Sequence, residues 1–261
     1  DGALAVSAAA SVAIENAPPI VQAPGDRTLS EGETVTFTGQ ASDPGADDVL
    51  SYTWQFGDGG TGAGVTASHR YGSDGVYTAT LTVTDDDGAS NSASGSVVVN
   101  NVAPAVTLQP AGGLEGESLV MRAQVVDPGD DTFTYAWDLT GNGQTDSTEV
   151  SPVVRFLSPG TFPIGLSVND GTATTTAPTT ATIVNVPPEV GALSINPPSP
   201  VEGQVATLSV TSVSEPGATP AELTYSWTFG DGAVDQGVGL RNASHAWVSD
   251  GTYTVTLSVA D

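Results

Sequence analysis

The segment SYTWQFGDGGTGAGVTASHRYGSDGVYTATLTVTD, residues 51–85, carries the pattern that decides the fold. Tyr52, Trp54 and Phe56 alternate with polar residues, and the stretch YTATLTVTD alternates in the same way. Such alternation places apolar side chains on one face of a half-buried strand, whereas Gly and Asp in GDG and SDG favour tight turns. The segment is therefore predicted to form short β-strands joined by turns.

Related segments recur at residues 134–171 and 224–261, so the chain contains three copies of one module. The anchoring residues Trp54, Trp137 and Trp227 are 83 and 90 residues apart. A Glu-Gly pair also recurs ahead of each Trp, at residues 31–32, 115–116 and 202–203. About seven strands in a module of roughly 85 to 90 residues predict a two-sheet immunoglobulin-type sandwich. No long stretch has apolar residues at helical spacing, so the predicted fold class is all-β, with tandem sandwiches in an elongated rod.

Two copies share the longer pattern W-x-F-G-D-G followed by H-x-[YW]-x-x-D-G-x-Y-T-x-x-L-x-V-x-D. Its parts lie at Trp54–Gly59 with His69–Asp85, and at Trp227–Gly232 with His245–Asp261. This pattern resembles the polycystic kidney disease (PKD) domain family. The second copy departs from it, because DLTGNG replaces FGDG, the His is missing and Phe162 replaces Tyr. The resemblance implies β-sandwich modules of extracellular arrays, surface layers and secreted hydrolases, with no catalytic activity of their own.

Proline-containing linkers separate the copies: ENAPPIV (15–21), NNVAPAV (100–106) and NVPPEV (185–190). Proline restricts the backbone and favours extended geometry, so these linkers are predicted to be short and stiff. The expected organisation is an orphan strand with its linker at 1–17, followed by domains at 18–102, 103–186 and 187–261.

The first 17 residues match the final strand and linker of a copy whose body is missing. Gly2 precedes Pro18 by 16 residues, as Gly88 precedes Pro104, and the third copy stops at Asp261, before its own last strand. In one interpretation, copies of the protein join head to tail by donor-strand complementation. In the other, the strand completes an adjacent repeat of a longer polypeptide from which this chain was excised. The predicted strand-exchange residues are Ala3, Leu4, Val6, Val12 and Ile14.

Charge limits the classes of partner. The chain has 30 Asp and Glu residues against five Arg and no Lys, and its formal net charge is −25. This excludes the basic face that nucleic acids and anionic lipids require, and favours divalent cations or simple solubility in salt. No apolar run approaches the length of a membrane helix, so no membrane insertion is expected. The absence of Cys excludes disulfides and thiolate metal sites. The resemblance to PKD domains implies an extracellular or cell-surface protein.

The stretch DLTGNGQTDSTE, residues 138–149, has the spacing of a twelve-residue calcium loop. Calcium takes six to eight oxygen ligands on a tightly turning loop, which this spacing supplies. The alternative is a polar hairpin loop without a metal. The predicted Ca²⁺ ligands are Asp138, Thr140, Asn142, Gln144 through its carbonyl, Asp146 and Glu149.

A second candidate calcium site involves the adjacent carboxylates Asp85, Asp86 and Asp87, with equivalent turns at Asp170 and Asp261. Neighbouring carboxylates repel one another unless a cation or solvent screens them. The sequence therefore predicts an inter-domain calcium site, the alternative being solvated turn residues. The partners considered for this site are Asp43, Asp47 and Asp48, or Glu31 and Glu33.

Catalysis finds little support in the sequence. The chain has no Cys, no Gly-x-Ser-x-Gly motif and two His residues that lie in different copies. We therefore expect no enzyme, but an extracellular structural protein that forms a calcium-stiffened filament or surface fibre. The alternatives are a fragment of a giant adhesin or surface-layer protein, and non-catalytic substrate-binding modules of a secreted hydrolase.

Overall fold

The computed structural model describes residues 7–261, which form 25 β-strands and no helix. Nothing in this range is a helix long and apolar enough to cross a membrane. The described residues fall into two compact units. The first runs to Ala105 and takes in Val125–Thr134 and Asn169–Thr175, while the second comprises Val106–Gln124, Tyr135–Val168 and Thr176–Asp261. The prediction of tandem all-β domains is confirmed.

Of the predicted strand-exchange residues, Ala3, Leu4 and Val6 lie outside the described residues. Val12 and Ile14 are 84% and 90% exposed, and residues 7–19 form no strand. Strand exchange between copies stays a prediction.

The first repeat, in the first unit, is a sandwich of one large and two small sheets. A five-stranded sheet of order β2-β9-β8-β5-β6 packs against the pairs β3–β7 and β1–β4. Strand β2 runs parallel to β9, and the other pairs of the large sheet are antiparallel. The strands are β1 Ile20–Val21, β2 Arg27–Ser30, β3 Thr34–Thr38, β4 Ala41–Ser42, β5 Ser51–Gln55, β6 Thr61–Ala63, β7 Thr66–Arg70, β8 Gly75–Thr84 and β9 Ser90–Asn100.

The second repeat repeats this plan. Its main sheet has the order β11-β17-β16-β14, and β12 pairs with β15. Strand β11 runs parallel to β17, with Leu114 opposite Val184, as Ser30 lies opposite Asn100 in the first repeat. The strands are β10 Ala105–Leu108, β11 Ala111–Leu114, β12 Ser118–Val120, β13 Ala123–Val126, β14 Thr134–Asp138, β15 Val153–Arg155, β16 Gly160–Asn169 and β17 Thr174–Val184.

The third repeat, in the second unit, has a smaller main sheet. Its order is β23-β22-β25, and β19, β20 and β24 form a second sheet. Up to Asp261, no strand occupies the position that β9 and β17 hold beside β8 and β16. The strands are β18 Glu189–Val190, β19 Leu193–Asn196, β20 Ala206–Val210, β21 Val213–Ser214, β22 Thr224–Thr228, β23 Val234–Val238, β24 Asn242–His245 and β25 Thr256–Ala260.

A buried Trp organises the core of each repeat. Trp54, Trp137 and Trp227 are all fully buried, each as the fourth residue of a five-residue main-sheet strand. Each indole N–H donates to a backbone carbonyl further along the chain. The acceptor is Gly64 O at 3.1 Å in the first repeat and Leu240 O at 3.0 Å in the third. Because the one polar atom of the ring is satisfied, the large apolar surface is buried without a hydrogen-bonding penalty.

A His–Asp pair holds the GDG turn of the first and third repeats. In the third, His245 stacks on Phe229 with ring centroids 4.2 Å apart and lies 2.7 Å from the Asp231 carboxylate. The backbone N–H of Ala233 and the His245 ring both hydrogen-bond this carboxylate and lower the pKa of Asp231. The two His residues are thus packing and hydrogen-bonding residues of the sandwich.

We expect Asp231→Asn to destabilise the third repeat at neutral pH and to lose this effect in acid. A carboxylate whose pKa is lowered by folding stabilises the folded state fully above its ordinary pKa of 3.8. That contribution disappears as the pH falls through the lowered value. Thermal unfolding in chelator at pH 7 and at pH 3 measures the difference. Asp250→Asn, at an exposed turn residue of the same repeat, is the matched control. Equal destabilisation at both pH values would contradict this role.

Candidate metal centres

The Glu-Gly turns of the first two repeats each contact an acidic loop of the following repeat. Glu31 directly follows β2, and the Gly32 N–H donates to the Tyr71 carbonyl at 2.8 Å, which fixes the turn to the first repeat. Gly32 has φ +77°, and a Cβ there would collide with the carbonyl oxygen of Pro128. Only glycine therefore allows the loop containing Asp127 to approach the turn this closely.

The first cluster consists of Glu31, Asp127 and Asp131, all in the first unit, with carboxylate oxygens within 4.8 Å of one another. Glu31 is 1% exposed. Its Oε1 accepts the Val102 N–H at 2.7 Å, but its buried Oε2 has no hydrogen-bond partner. The Oδ2 atoms of Asp127 and Asp131 are also buried without a partner. A buried unpaired carboxylate oxygen is costly unless a cation or proton compensates it.

The electrostatics of this cluster oppose ionisation. Burial raises the pKa of Glu31, the Val102 N–H partly offsets this, and the charges of Asp131 and Asp127 raise it further. Burial likewise raises the pKa of Asp131, with added repulsion from Asp127 and Asp170. The three side chains together form an oxygen-lined site of strongly negative potential, which suits a divalent cation.

A second cluster, in the second unit, has the same construction. It brings together oxygens of Glu115, Glu215 and Asp261 within 4.8 Å. The Val186 N–H donates to Glu115 Oε1 at 3.1 Å, as the equivalent N–H does for Glu31. A Cβ on Gly116, which has φ +74°, would collide with Pro216. A shared hydrogen bond with Glu215, and then burial, raise the pKa of Glu115.

A third cluster contains Asp43, Asp48 and Asp85 of the first repeat. The hydrogen bond between Asp43 and Asp48, then burial and repulsion, raises the pKa of Asp48 to about 6. Asp85 accepts the Asn16 side-chain amide at 3.0 Å, just as Asp170 accepts that of Asn101 at 3.1 Å. No Glu-Gly turn contributes to this cluster within the described residues.

The three clusters share one pattern of construction. Each takes a carboxylate from an acidic-Pro-Gly loop, at residues 43–45, 127–129 or 215–217. Where a repeat precedes that loop among residues 7–261, the Glu of its Glu-Gly turn joins the cluster. Glu202, in the third such turn, is instead exposed, and no atom lies within 4 Å of a Cβ placed on Gly203. The same Glu is therefore buried or exposed according to whether an acidic loop packs on it.

The loop at 138–149 has a different geometry. The Asp138 carboxylate accepts the N–H groups of Gly141 and Gly143 at 2.7 Å each, besides those of Thr140 and Asn142. Asp146 Oδ2 accepts the N–H of Leu139 at 2.7 Å and both the N–H and the hydroxyl of Thr140. These carboxylates cap their own loop, and Gln144 donates its N–H to Asn142. A calcium site formed by Asp138, Thr140, Asn142, Gln144, Asp146 and Glu149 stays a prediction.

The other acidic residues that the sequence suggested as calcium ligands lie in different environments. Asp85 joins Asp43 and Asp48, whereas Asp86 accepts the Val49 N–H at 3.0 Å and Asp87 is exposed. Glu33 accepts the Ser30 N–H within its own turn. Sequence reasoning did not single out Asp127, Asp131 or Glu215. The recurring acidic-Pro-Gly tripeptide, aligned with the recurring Glu-Gly pair, is the signal that could have found them.

Fold and site together define a tandem array of immunoglobulin-like sandwiches with carboxylate clusters beside the linkers. The sequence model described as PKD domain matches residues 16–100, 101–186 and 185–261, and the chain belongs to the PKD domain family. The sequence resemblance is thereby confirmed.

Similar proteins include two collagenases and one solved PKD domain. A microbial collagenase of Vibrio alginolyticus is 38% identical over 69 residues, which is 26% of this chain and 8% of the collagenase. Collagenase ColA of Clostridium perfringens is 34% identical over 74 residues, 28% of this chain and 7% of that protein. The PKD1 domain of Vibrio anguillarum Epp is 33% identical, with 33% of this chain and 98% of that chain covered and a TM-score of 0.28. The chain thus spans under a tenth of either collagenase.

We expect Glu31→Gln to raise the melting temperature of the first unit at pH 7 in a chelator. The substitution removes a buried charge whose pKa is raised, so the uncharged amide relieves repulsion from Asp127 and Asp131. Differential scanning calorimetry in EDTA measures this. Glu202→Gln, at the exposed equivalent, should leave the melting temperature unchanged. A lower melting temperature for Glu31→Gln alone would contradict the repulsion.

Proposed function

We propose that the chain is a non-catalytic, extracellular structural segment whose PKD repeats are joined through calcium ions bound at the carboxylate clusters. Its role is mechanical: it spaces and orients what lies on either side, as part of a filament, a surface fibre or a large cell-surface protein. Calcium supplies the positive charge that the clusters lack, and so couples the Glu-Gly turn of one repeat to the acidic loop of the next.

The buried Oε2 of Glu31 is the observation that carries the proposal. It lies among two further carboxylates, and four of the five buried side-chain polar atoms without a hydrogen bond among residues 7–261 belong to these clusters. Burying like charges costs free energy, and a bound cation reverses the sign of that cost. The residues fit a divalent cation because every donor is a carboxylate oxygen.

Calcium fits the clusters better than magnesium. Calcium tolerates irregular geometry with six to eight oxygens, whereas magnesium demands a near-octahedral shell and retains several waters. Each cluster offers three carboxylates in an irregular arrangement, which favours the larger ion. Glu31, Asp127 and Asp131 would bind it in the first cluster, and Glu115, Glu215 and Asp261 in the second.

Several properties support an extracellular, non-catalytic role. The net charge of −25 keeps the chain soluble, and the family occurs as modules of larger proteins such as the collagenases above. Extracellular modules bind calcium with dissociation constants of about 10⁻⁴ to 10⁻³ M. Both His residues are stacked on Phe rings and bonded to turn aspartates, so neither is placed as a catalytic base.

Calcium titration of the full chain tests the proposal. We expect calcium to raise the free energy of unfolding by about 2.7 kcal/mol per site when its free concentration reaches one hundred times Kd. Glu31→Gln should weaken the site it contributes to about tenfold or more, because ligand charge sets affinity. The same variant that is stabilised in EDTA therefore gains less from calcium than the wild type.

Isothermal titration calorimetry counts the sites, and Glu202→Gln is the matched control that should bind as the wild type does. Asp138→Asn tests the loop at 138–149 separately. If no calcium binds up to 10 mM, about ten times the weakest Kd of extracellular modules, the calcium proposal fails.

The collagenase relatives favour a second candidate function, an accessory module of a secreted hydrolase that contacts insoluble substrate. Co-sedimentation of the chain with insoluble collagen fibrils tests it, with cellulose as a parallel matrix. Saturable pelleting with collagen supports the accessory role. A chain that stays in the supernatant with both matrices opposes it and leaves the structural role.

A further inference from the structure

A groove lies on the outer face of the main sheet of the second repeat, beside the loop at 138–149. Its volume is about 340 Å³, and all of its lining residues belong to the second compact unit. Strands β14, β16 and β17 form its floor, and residues 143–145 of the loop form one wall. The groove is therefore built from the segment in which the second repeat departs most from the sequence of the other two.

The groove is open because two side chains that cover this face in the first repeat are replaced. In the first repeat Thr80 and Ser94 lie opposite one another, and their hydroxyls are 2.9 Å apart. Gly165 and Pro178 take these two positions in the second repeat. A Cβ placed on Gly165 meets Asp138 Cβ at 3.6 Å, an ordinary van der Waals distance. No neighbouring side chain has moved in to fill the space that the missing hydroxyl pair leaves among the described residues.

The loop that forms the wall is held in place by its own hydrogen bonds. The Asp138 carboxylate accepts four backbone N–H groups of this loop. Gly141, with φ +71°, lies against Pro163 of β16, where a Cβ would collide with the proline ring. Gln144 and Thr145 are exposed and line the groove. Because the backbone is fixed on both sides of them, these two side chains are presented to a ligand at little further cost in loop entropy.

The groups that the groove offers to a ligand are neutral and polar. Gln144, Thr145, Ser167 and Thr176 supply one amide and three hydroxyls, each of which can both donate and accept a hydrogen bond. Asp138 is the one charged residue that lines the groove within the described part of the chain, and backbone N–H groups already bind both of its carboxylate oxygens. Such a lining suits an uncharged molecule with many hydroxyls.

Charged ligands and extended peptides fit the groove less well. The net charge of −25 disfavours anions, and a cation would find stronger sites at the carboxylate clusters. Strands β14, β16 and β17 are hydrogen-bonded to one another across the floor. A peptide strand adds to the edge of a sheet, where backbone groups are free, and not to its face. Recognition in the groove therefore depends on side-chain hydroxyls and the Gln144 amide.

We propose that this groove binds one or two sugar rings of a neutral carbohydrate. Gln144 and Thr145 would bind ring hydroxyls from the loop, Ser167 and Thr176 would bind them from the sheet, and Pro178 would contact the C–H face of a ring. The volume lies near the lower end of the range of about 300–1,000 Å³ for ligand pockets, which suits a ligand of this size. The site gives the loop at 138–149 a role that needs no metal, and it is independent of calcium binding at the carboxylate clusters.

An NMR titration of the isotope-labelled 261-residue chain tests the site. The probes are cellobiose, maltose, lactose and N,N′-diacetylchitobiose, each added in EDTA up to about 10 mM, which is ten times a Kd of about 1 mM. At least one of them should shift the amide signals of residues 143–145, 165–167 and 176–177 in a saturable way. EDTA removes calcium, so the outcome does not depend on the proposed function of the clusters.

Two variants separate binding from folding. Gly165→Thr restores the residue of the first repeat and should abolish binding without lowering the melting temperature, because Thr favours a strand more than Gly does. Gln144→Ala should weaken binding about three- to tenfold, which is the contribution of one neutral hydrogen bond. The matched control is Gln236→Ala, at an exposed Gln of β23 in the third repeat, which should bind as the wild type does.

Three results would overturn the proposal. One is that none of the four disaccharides shifts the groove signals. Another is that binding survives Gly165→Thr unchanged. The third is that a collagen-like peptide of Gly-Pro-Pro repeats shifts these signals while the sugars do not, which makes the groove a peptide site. If Gly165→Thr lowers the melting temperature, Gln144→Ala decides, since an affinity equal to that of Gln236→Ala refutes the site.

Discussion

The Glu31 carboxylate is buried beside Asp127 and Asp131, with one oxygen that no N–H or O–H reaches. Three neighbouring features of the structure bring this contact about. The parallel pairing of β2 with β9 places Glu31 at the edge of the first sandwich. Gly32, which follows it, lacks the Cβ that would collide with Pro128. The linker that leaves β9 then donates the Val102 N–H to the same carboxylate. The linker and the acidic loop are thus tied to one side chain.

This contact makes the linker part of the folded structure. With a flexible linker, Glu31 and the aspartates of the acidic loop would move apart, because like charges repel and water solvates each of them well. Here two hydrogen bonds hold them together: the Asp130 backbone N–H donates to the Gly72 carbonyl, and the Arg70 guanidinium donates to the Pro128 carbonyl. The fold stores unfavourable electrostatic energy at defined points, which is the condition under which a cation binds and stabilises most.

Sequence reasoning reached the strands and repeats because they depend on local periodicity around Trp54, Trp137 and Trp227. The clusters were harder to predict. Glu31 and Asp131 are separated by more than one whole repeat, and only the packing of a loop on a turn brings them together. At the loop 138–149, by contrast, the sequence pattern indicates more than the geometry supports. Its spacing matches a calcium loop, but spacing does not reveal that the oxygens of Asp138 already accept the N–H groups of Gly141 and Gly143.

The division of ligands between neighbours has a consequence for how such arrays change length. Each of the first two repeats contributes a Glu to the cluster it shares with the acidic loop of the following repeat. A gene duplication or deletion of one whole repeat therefore restores a matched pair at the new boundary. A breakpoint inside a repeat separates the turn from its loop and leaves the Glu exposed, as Glu202 is among the described residues. Arrays of this kind are free to lengthen or shorten in whole-repeat steps without new compensating substitutions.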